Sequence, residues 1–191
     1  SANIRRLFHV MDGLSSCAVQ AVAVSLNMEK AFDSLSWQYL FQVLTSMGLG
    51  AGLLKWIEIL YMDTVAGTCT GKEFSEAWNI ERGTRQGGPL SPMLFAMAVA
   101  PLACHLHALG ESQGIRIGSY LHAASLYSDY ILVYLRDVNT GLPPLMQILE
   151  NFANLSVPRL TVNKSVIYPL LPNSDKNVHL LVSTHIPIMP I

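Results

Sequence analysis

Apolar residues recur along this chain with two different periods. Residues 18–26 (AVQAVAVSL) are rich in Ala and Val and lead into polar sequence, which predicts a buried strand ending near Asn27. Helical spacing follows. Asp33 or Ser34 is placed as an N-cap; Leu35, Tyr39, Leu40, Val43, Leu44 and Met47 form the apolar stripe, and Gly48 and Gly50 end it. Leu53, Trp56, Ile57, Leu60 and Tyr61 repeat the pattern, so a second helix covers roughly 52–62. Residues 64–70 and 74–80, separated by Gly71-Lys72, read as a hairpin.

A Gly-rich loop, RGTRQGGP, occupies 82–89. Ser91 as N-cap and Pro92 at the first helical position then open a long helix to about Leu109, with a kink expected at Pro101. Residues 115–117 and 121–126 read as short strands and Ile131 to Leu135 as a clearer one, with a tight turn at Tyr127-Ser128-Asp129-Tyr130. Residues 145–154 suggest a last helix. The tail 171–191 has several prolines and no periodicity, so poor order is expected there. Strands and helices interleave without regular βαβ alternation. The fold class is therefore α+β, a mostly antiparallel sheet backed by helices on one face.

The chain has 191 residues, which fits one domain and suffices for a real core. Hydrophobic residues make up 51% and charged residues 13%, a globular composition rather than a disordered one. The net charge of −1 supplies no overall field toward nucleic acid. Cys17, Cys69 and Cys104 are far apart and lack CxxC spacing, which argues against a zinc site or a disulfide framework and for a reduced, intracellular setting. No basic-then-apolar leader opens the chain. The longest apolar run, Pro92 to Cys104, is shorter than the roughly 20 residues that span a bilayer, so it reads as a buried helix and no membrane partner is expected.

Three blocks carry the chemistry. VSLNMEKAFDSLSW (24–37) resembles motif A of LINE-type (non-LTR) retrotransposon reverse transcriptases, which usually reads LDAEKAFD. RGTRQGGPLSP (82–92) resembles motif B, with Gly88 the one departure from RGTRQGCPLSP. SLYSDYILVYL (125–135) resembles motif C, usually a Tyr-Ala-Asp-Asp turn within a hairpin. NIRRLFHVM near the start is similar to the end of the fingers region, and FANLSVPRLTVNKS (152–165) to a shortened motif D. The resemblance covers roughly residues 3–170. It implies a polymerase palm with partial fingers and no thumb over residues 1–170. The implied activity is RNA-directed DNA polymerisation on an RNA template with a DNA primer and dNTPs.

The resemblance also implies a site. Two Mg²⁺ ions about 4 Å apart would clamp the attacking hydroxyl and the leaving pyrophosphate, held by hard carboxylate oxygens. The family supplies three aspartates. In this chain Asn27 stands at the first position and Tyr130 at the third, so only Asp129 remains. Asn offers a neutral carbonyl oxygen, and Tyr brings bulk and a neutral hydroxyl. Asp33 lies past the strand end and is assigned to capping. Phe32 matches the aromatic steric gate against a ribose 2′-hydroxyl. Arg82, Arg85, Gln86 and Gly87 match the loop that handles template and incoming nucleotide, and Lys164 matches the motif D lysine near the triphosphate.

These residues have plainer readings. Phe32 could be core, Arg82 and Arg85 solvated loop charges, and Asp129 an ordinary turn residue. His105 and His107 are two apart and face different sides of a helix, so ligation is not expected. Trp37, Trp56 and Trp78 are expected in the core, Tyr127 and Tyr134 packed beside the hairpin, and Glu29 with Lys30 a surface pair. Three functions follow: a polymerase by ancestry that is inactive as it stands, a non-catalytic nucleic-acid-binding remnant, or a translated relic with no function.

Overall fold

The computed structural model describes residues 2–14, 21–85, 87–127, 130–156, 161 and 164–170. The chain begins with α1 (Ala2–Leu14), β1 (Val22–Asn27), the short α2 (Ala31–Ser34), α3 (Trp37–Ser46) and α4 (Ala51–Tyr61). Four two-residue strands follow: β2 (Val65–Ala66), β3 (Cys69–Thr70), β4 (Glu73–Phe74) and β5 (Trp78–Asn79). Then come α5 (Ser91–Gln113), β6 (Ile115–Ile117), β7 (Tyr120–His122), β8 (Ala124–Tyr127), β9 (Tyr130–Leu135), α6 (Val138–Ser156) and β10 (Val166–Pro169).

The central sheet is antiparallel throughout, in the order β10-β1-β9-β8. Its two faces follow from the two-residue period of a strand. Val22, Val24 and Leu26 of β1 and Ile131, Val133 and Leu135 of β9 enter the main core, where α3, α5 and α6 cover them with Leu40, Leu44, Leu94, Leu102 and Leu145. Ala23 and Tyr134 point the other way, into a smaller core with Val10 and Leu14 of α1. The expected α+β fold is present, but helices are not confined to one face: α1 covers part of the second. Its amphipathic period across Leu7, Val10 and Leu14 explains that docking.

The hairpin forms as two ladders, β2 with β5 and β3 with β4, and Gly71 takes a positive φ of 67° in its turn. Two residues separate the ladders on the outgoing arm and three on the return, so the return arm carries one extra residue. The predicted strand 121–126 breaks at Ala123: β7 pairs with β6, whereas β8 joins the central sheet.

Three helix starts differ from expectation. Lys30 adopts a left-handed backbone (φ 45°), and the chain makes the single turn α2 before α3 begins. The N-cap of α3 is Ser36, whose Oγ accepts from the Tyr39 N–H at 3.3 Å, rather than Asp33 or Ser34. Asp33 lies inside α2, and the Ser34 hydroxyl donates to the Lys30 carbonyl at 2.9 Å. Ser91 is inside α5 after Leu90, and its hydroxyl donates to the Arg85 carbonyl, so it closes the preceding loop. α5 continues past Leu109 to Gln113 and stays helical through Pro101. It is long and apolar enough to span a membrane by length and composition, yet Leu94, Ala98, Leu102 and Leu106 are buried in the main core.

α6 starts at Val138 rather than near 145, ahead of Pro143 and Pro144. Asp137 explains this. Its carboxylate accepts from the Asn139 N–H at 3.0 Å and the Thr140 hydroxyl at 2.8 Å, satisfying first-turn groups. The tail from 171 onward lies outside the described residues, as does most of the link between α6 and β10.

Candidate functional site

The ends of three strands meet in one row. Asn27 closes β1, Tyr130 opens β9 and Tyr127 closes β8. The registers set Asn27 opposite Tyr130, and Tyr130 opposite Tyr127. Directly opposed residues on antiparallel strands share a face, so the row lies on the face away from α3, α5 and α6. Asn27 is buried, whereas Tyr130 and Tyr127 are 55% and 72% exposed. The segment after α6 braces the strand end. Thr161 N–H donates to the Asn27 carbonyl at 2.8 Å, and Asn27 N–H donates to Ser165 Oγ at 3.4 Å. Lys164 follows in that segment, exposed, with its N–H on the Thr161 carbonyl at 3.0 Å. Asp129 lies outside the described residues, as does Gln86.

A second cluster is built from the Gly-rich loop and α2. Gly83 N–H donates to the Leu35 carbonyl at 2.7 Å and Thr84 N–H to the Phe32 carbonyl at 2.6 Å. The Trp37 indole N–H donates to the Gly83 carbonyl at 2.7 Å. Arg82 forms a bridge with Ser36. Gly83 has a φ of +89°, and a Cβ there would sit 2.6 Å from the Asp33 carbonyl oxygen, so the backbones approach as only Gly allows. Gly87 also has a positive φ, +79°, but with open space around it. These bonds hold Phe32 in place. Its half-buried ring stacks on Phe95, centroids 4.2 Å apart and planes 28° apart.

Arg85 is exposed and reaches the Thr64 hydroxyl at 3.3 Å. Its charge and backbone oppose the dominant effect of burial on Tyr61, which pushes that phenol above its ordinary value. Arg82, Arg85, Tyr61 and Trp37 line a cavity of about 310 Å³. Phe32, Phe95 and Leu126 line another of about 610 Å³ on the α5 side, and Tyr127 also borders it because it ends the edge strand β8. A further cavity of about 740 Å³ lies among α3, α5 and α6 and contains none of these residues.

Several expectations about individual side chains are corrected. Trp37 packs against the main core, but Trp56 and Trp78 are 67% and 49% exposed. Trp56 lies on α4, whose Ile57 and Tyr61 are the residues turned into the main core, and Trp78 lies on the hairpin strand β5. Tyr134 is fully buried as expected, whereas Tyr127 is not packed away. His105 and His107 are exposed, and the His105 Nδ1 lies 2.8 Å from the Pro101 carbonyl of its own helix. Cys69 and Cys104 are free. Among the described residues no group of three His, Cys, Asp or Glu side chains could hold a metal ion.

One cluster had no signature in the sequence. Arg6 of α1 donates to Ser125 Oγ at 2.6 Å. Nearby, the buried His122 ring meets Tyr134 at 6.1 Å and His9 at 5.8 Å. Burial, then Arg6, then His9 hold the His122 imidazole below its ordinary value. Arg6 meets Ser125 and His9 meets His122 only when α1 docks on the strands, contacts between residues more than 110 positions apart.

Comparison with known proteins places this architecture. The family model described as "Reverse transcriptase (RNA-dependent DNA polymerase)" matches residues 3–181. The chain is 27% identical over 145 residues to the retrovirus-related Pol polyprotein from the type-2 retrotransposable element R2DM of Drosophila melanogaster, covering 73% of the chain and 13% of that protein. It is 31% identical over 144 residues to the corresponding Pol polyprotein from a type-1 retrotransposable element R2 of Popillia japonica, covering 75% of the chain and 20% of that protein. A 149 kDa protein of transposon TX1 from Xenopus laevis is 26% identical over 142 residues, covering 74% of the chain and 11% of that protein. The chain thus spans a fifth or less of these relatives. Among solved structures, apo telomerase from Candida tropicalis superposes with a TM-score of 0.67 at 9% identity, over 88% of this chain and 32% of that one. Telomerase from Candida albicans with a fragment of telomeric RNA gives 0.65 at 13% identity, over 87% and 30%. At these identities the likeness concerns the fold.

Proposed function

From the premise that this chain belongs to the reverse transcriptase (RNA-dependent DNA polymerase) family, in the branch carried by non-LTR retrotransposons, we propose that it is a polymerase palm that no longer polymerises. The observation that carries this is the pairing of Asn27 with Tyr130 at the sheet end. Reverse transcriptases use divalent metals, and a pair of hard cations needs carboxylate oxygen around it. A buried carboxamide beside an exposed phenol supplies no negative charge. The donor set does not fit the metal pair, and Asp129 alone leaves most of the cationic charge unbalanced.

The rest of the reading follows the matched motifs. Phe32 would act as the steric gate, and its stacking on Phe95 would hold it there. Arg82, Arg85, Gln86 and Gly87 would handle template and nucleotide, with Lys164 near the phosphates. An RNA template, a DNA primer and dNTPs are the proposed ligands, residues 1–170 the proposed domain and an intracellular compartment the proposed setting. A non-catalytic binding role is the second reading. It is favoured by the exposure of Arg82 and Arg85 beside an ordered loop.

The test is dNTP incorporation on an RNA template with a DNA primer, with Mg²⁺ and with Mn²⁺, for the unmodified chain and for Asn27→Asp/Tyr130→Asp. The expected outcome is none from the unmodified chain and some from the double variant. Incorporation by the unmodified chain would refute the proposal.

A further inference from the structure

We infer that Tyr127 and Tyr130 form a stacking platform for single-stranded nucleic acid at the end of the central sheet, where the family resemblance leads one to expect metal-binding carboxylates. The inference rests on the reading that this domain handles nucleic acid, and it adds which residues do so and which form of the ligand they take.

The two tyrosines are a direct cross-strand pair in the β8–β9 hairpin, so their side chains leave the same face of the sheet. They are 72% and 55% exposed. Neighbouring strands lie about 4.8 Å apart, so rings on adjacent strands can receive two neighbouring bases splayed from one strand. Four-stranded antiparallel sheets that read single-stranded RNA use aromatic residues on their open face in this way. Here the sheet is also four-stranded and antiparallel, with its other face closed by helices and α1 covering this one around Ala23 and Tyr134.

Charge points to the same ligand. On the same face Arg6 is tied to Ser125, two residues before Tyr127. Past Asn27, at the other end of the row, Lys164 is exposed and tied through Thr161 to the Asn27 carbonyl. Arg6 thus lies on the β8 side of the aromatic pair and Lys164 follows beyond Asn27 on the other, cations that can meet the phosphates flanking stacked bases. With Asn27 and Tyr130 neutral, Asp129 is the one carboxylate left of the three that the resemblance implies, so phosphate meets less repulsion here than it would beside three aspartates. A duplex fits less well, because its bases are already stacked on one another.

The experiment is fluorescence anisotropy with the full chain and labelled oligo-U, oligo-dT and a duplex, each about 10 nucleotides long, within the usual range for one single-strand site. Tyr127→Ala and Tyr130→Ala are each expected to weaken single-strand binding about tenfold, the usual cost of losing one stacked base. Tyr127→Phe/Tyr130→Phe keeps the rings and the fold, and is expected to bind within about twofold of the unmodified chain. Lys164→Gln should flatten the fall of log K with log salt by about 0.7, one phosphate contact on a single strand. Oligo-U and oligo-dT should bind alike, because a ring face does not read the sugar. Each of three results would overturn the inference: no oligomer bound at about 50 mM salt, alanine variants that bind like the unmodified chain, or a duplex bound as tightly as a single strand. The readout is independent of polymerisation. Incorporation by the unmodified chain would defeat the silent-palm proposal and leave the tyrosine result standing, and the converse also holds.

Discussion

Asn27 of β1 and Tyr130 of β9 face each other as the terminal pair of an antiparallel ladder that begins at Val22 and Leu135. One is buried and the other 55% exposed. The buried member of the pair makes a clear prediction. Asn27→Asp places a carboxylate where water is largely excluded, which disfavours its charged form. The variant should be destabilised by about 1–3 kcal/mol at neutral pH, seen as a lower urea midpoint. Adding Tyr130→Asp should create a site at which Mg²⁺ raises the melting temperature, whereas Mg²⁺ should leave the unmodified chain unchanged. An Asn27→Asp variant as stable as the unmodified chain, with no Mg²⁺ present, would show that the strand end is open enough to solvate a charge.

The two glycines of the loop should respond differently to the same change. Both have a positive φ, but at Gly83 a Cβ would meet the Asp33 backbone at 2.6 Å, and at Gly87 it would meet nothing within 4 Å. Gly87→Ala should cost only the left-handed backbone, about 1–2 kcal/mol. Gly83→Ala should cost more, and should also free the Thr84 amide that is bonded to Phe32. Chemical denaturation gives the first comparison and hydrogen exchange at Thr84 the second. Equal losses from the two variants would mean that the loop and α2 are not in close contact.

Stability should fall on mild acidification. His122 is held below its ordinary value of 6.5 by burial, with Arg6 and His9 adding to the effect. The unfolded chain therefore takes up its proton first. The contribution is complete above about pH 6.5 and is lost as pH falls from there toward the depressed folded value. Protonation would set a new cation beside Arg6 in this cluster, loosening α1 from the sheet. In His122→Phe, the drop in urea midpoint between about pH 7.5 and about pH 5.5 should shrink. An unchanged drop would assign the acid sensitivity to other groups.

The loop at 82–92 and the strand ends were legible in the sequence because their residue types are restrictive. A positive-φ approach needs Gly at position 83, and a buried strand written in Ala and Val ends where polar sequence begins at Asn27. The helix starts were harder to read. Asp33 and Ser34 were the expected caps, and the left-handed turn at Lys30 absorbs both into α2 and leaves Ser36 to cap α3. α6 was expected from 145, and the two hydrogen bonds to Asp137 start it at Val138 instead.

By itself, the order of residues determined the two-residue period that makes β1 and β9 buried strands, the apolar stripe of α3, and the absence of a carboxylate at positions 27 and 130. These are local properties, carried by side-chain type and spacing. Tertiary structure alone decided that Asn27, Tyr130 and Tyr127 stand in one row, that α1 covers the second face of the sheet, and that Trp56 and Trp78 remain exposed while Trp37 bonds to Gly83. Each of these depends on strand register or helix docking between distant residues. Such contacts form only when the apolar surface of the whole chain is buried at once, and no window of sequence contains them.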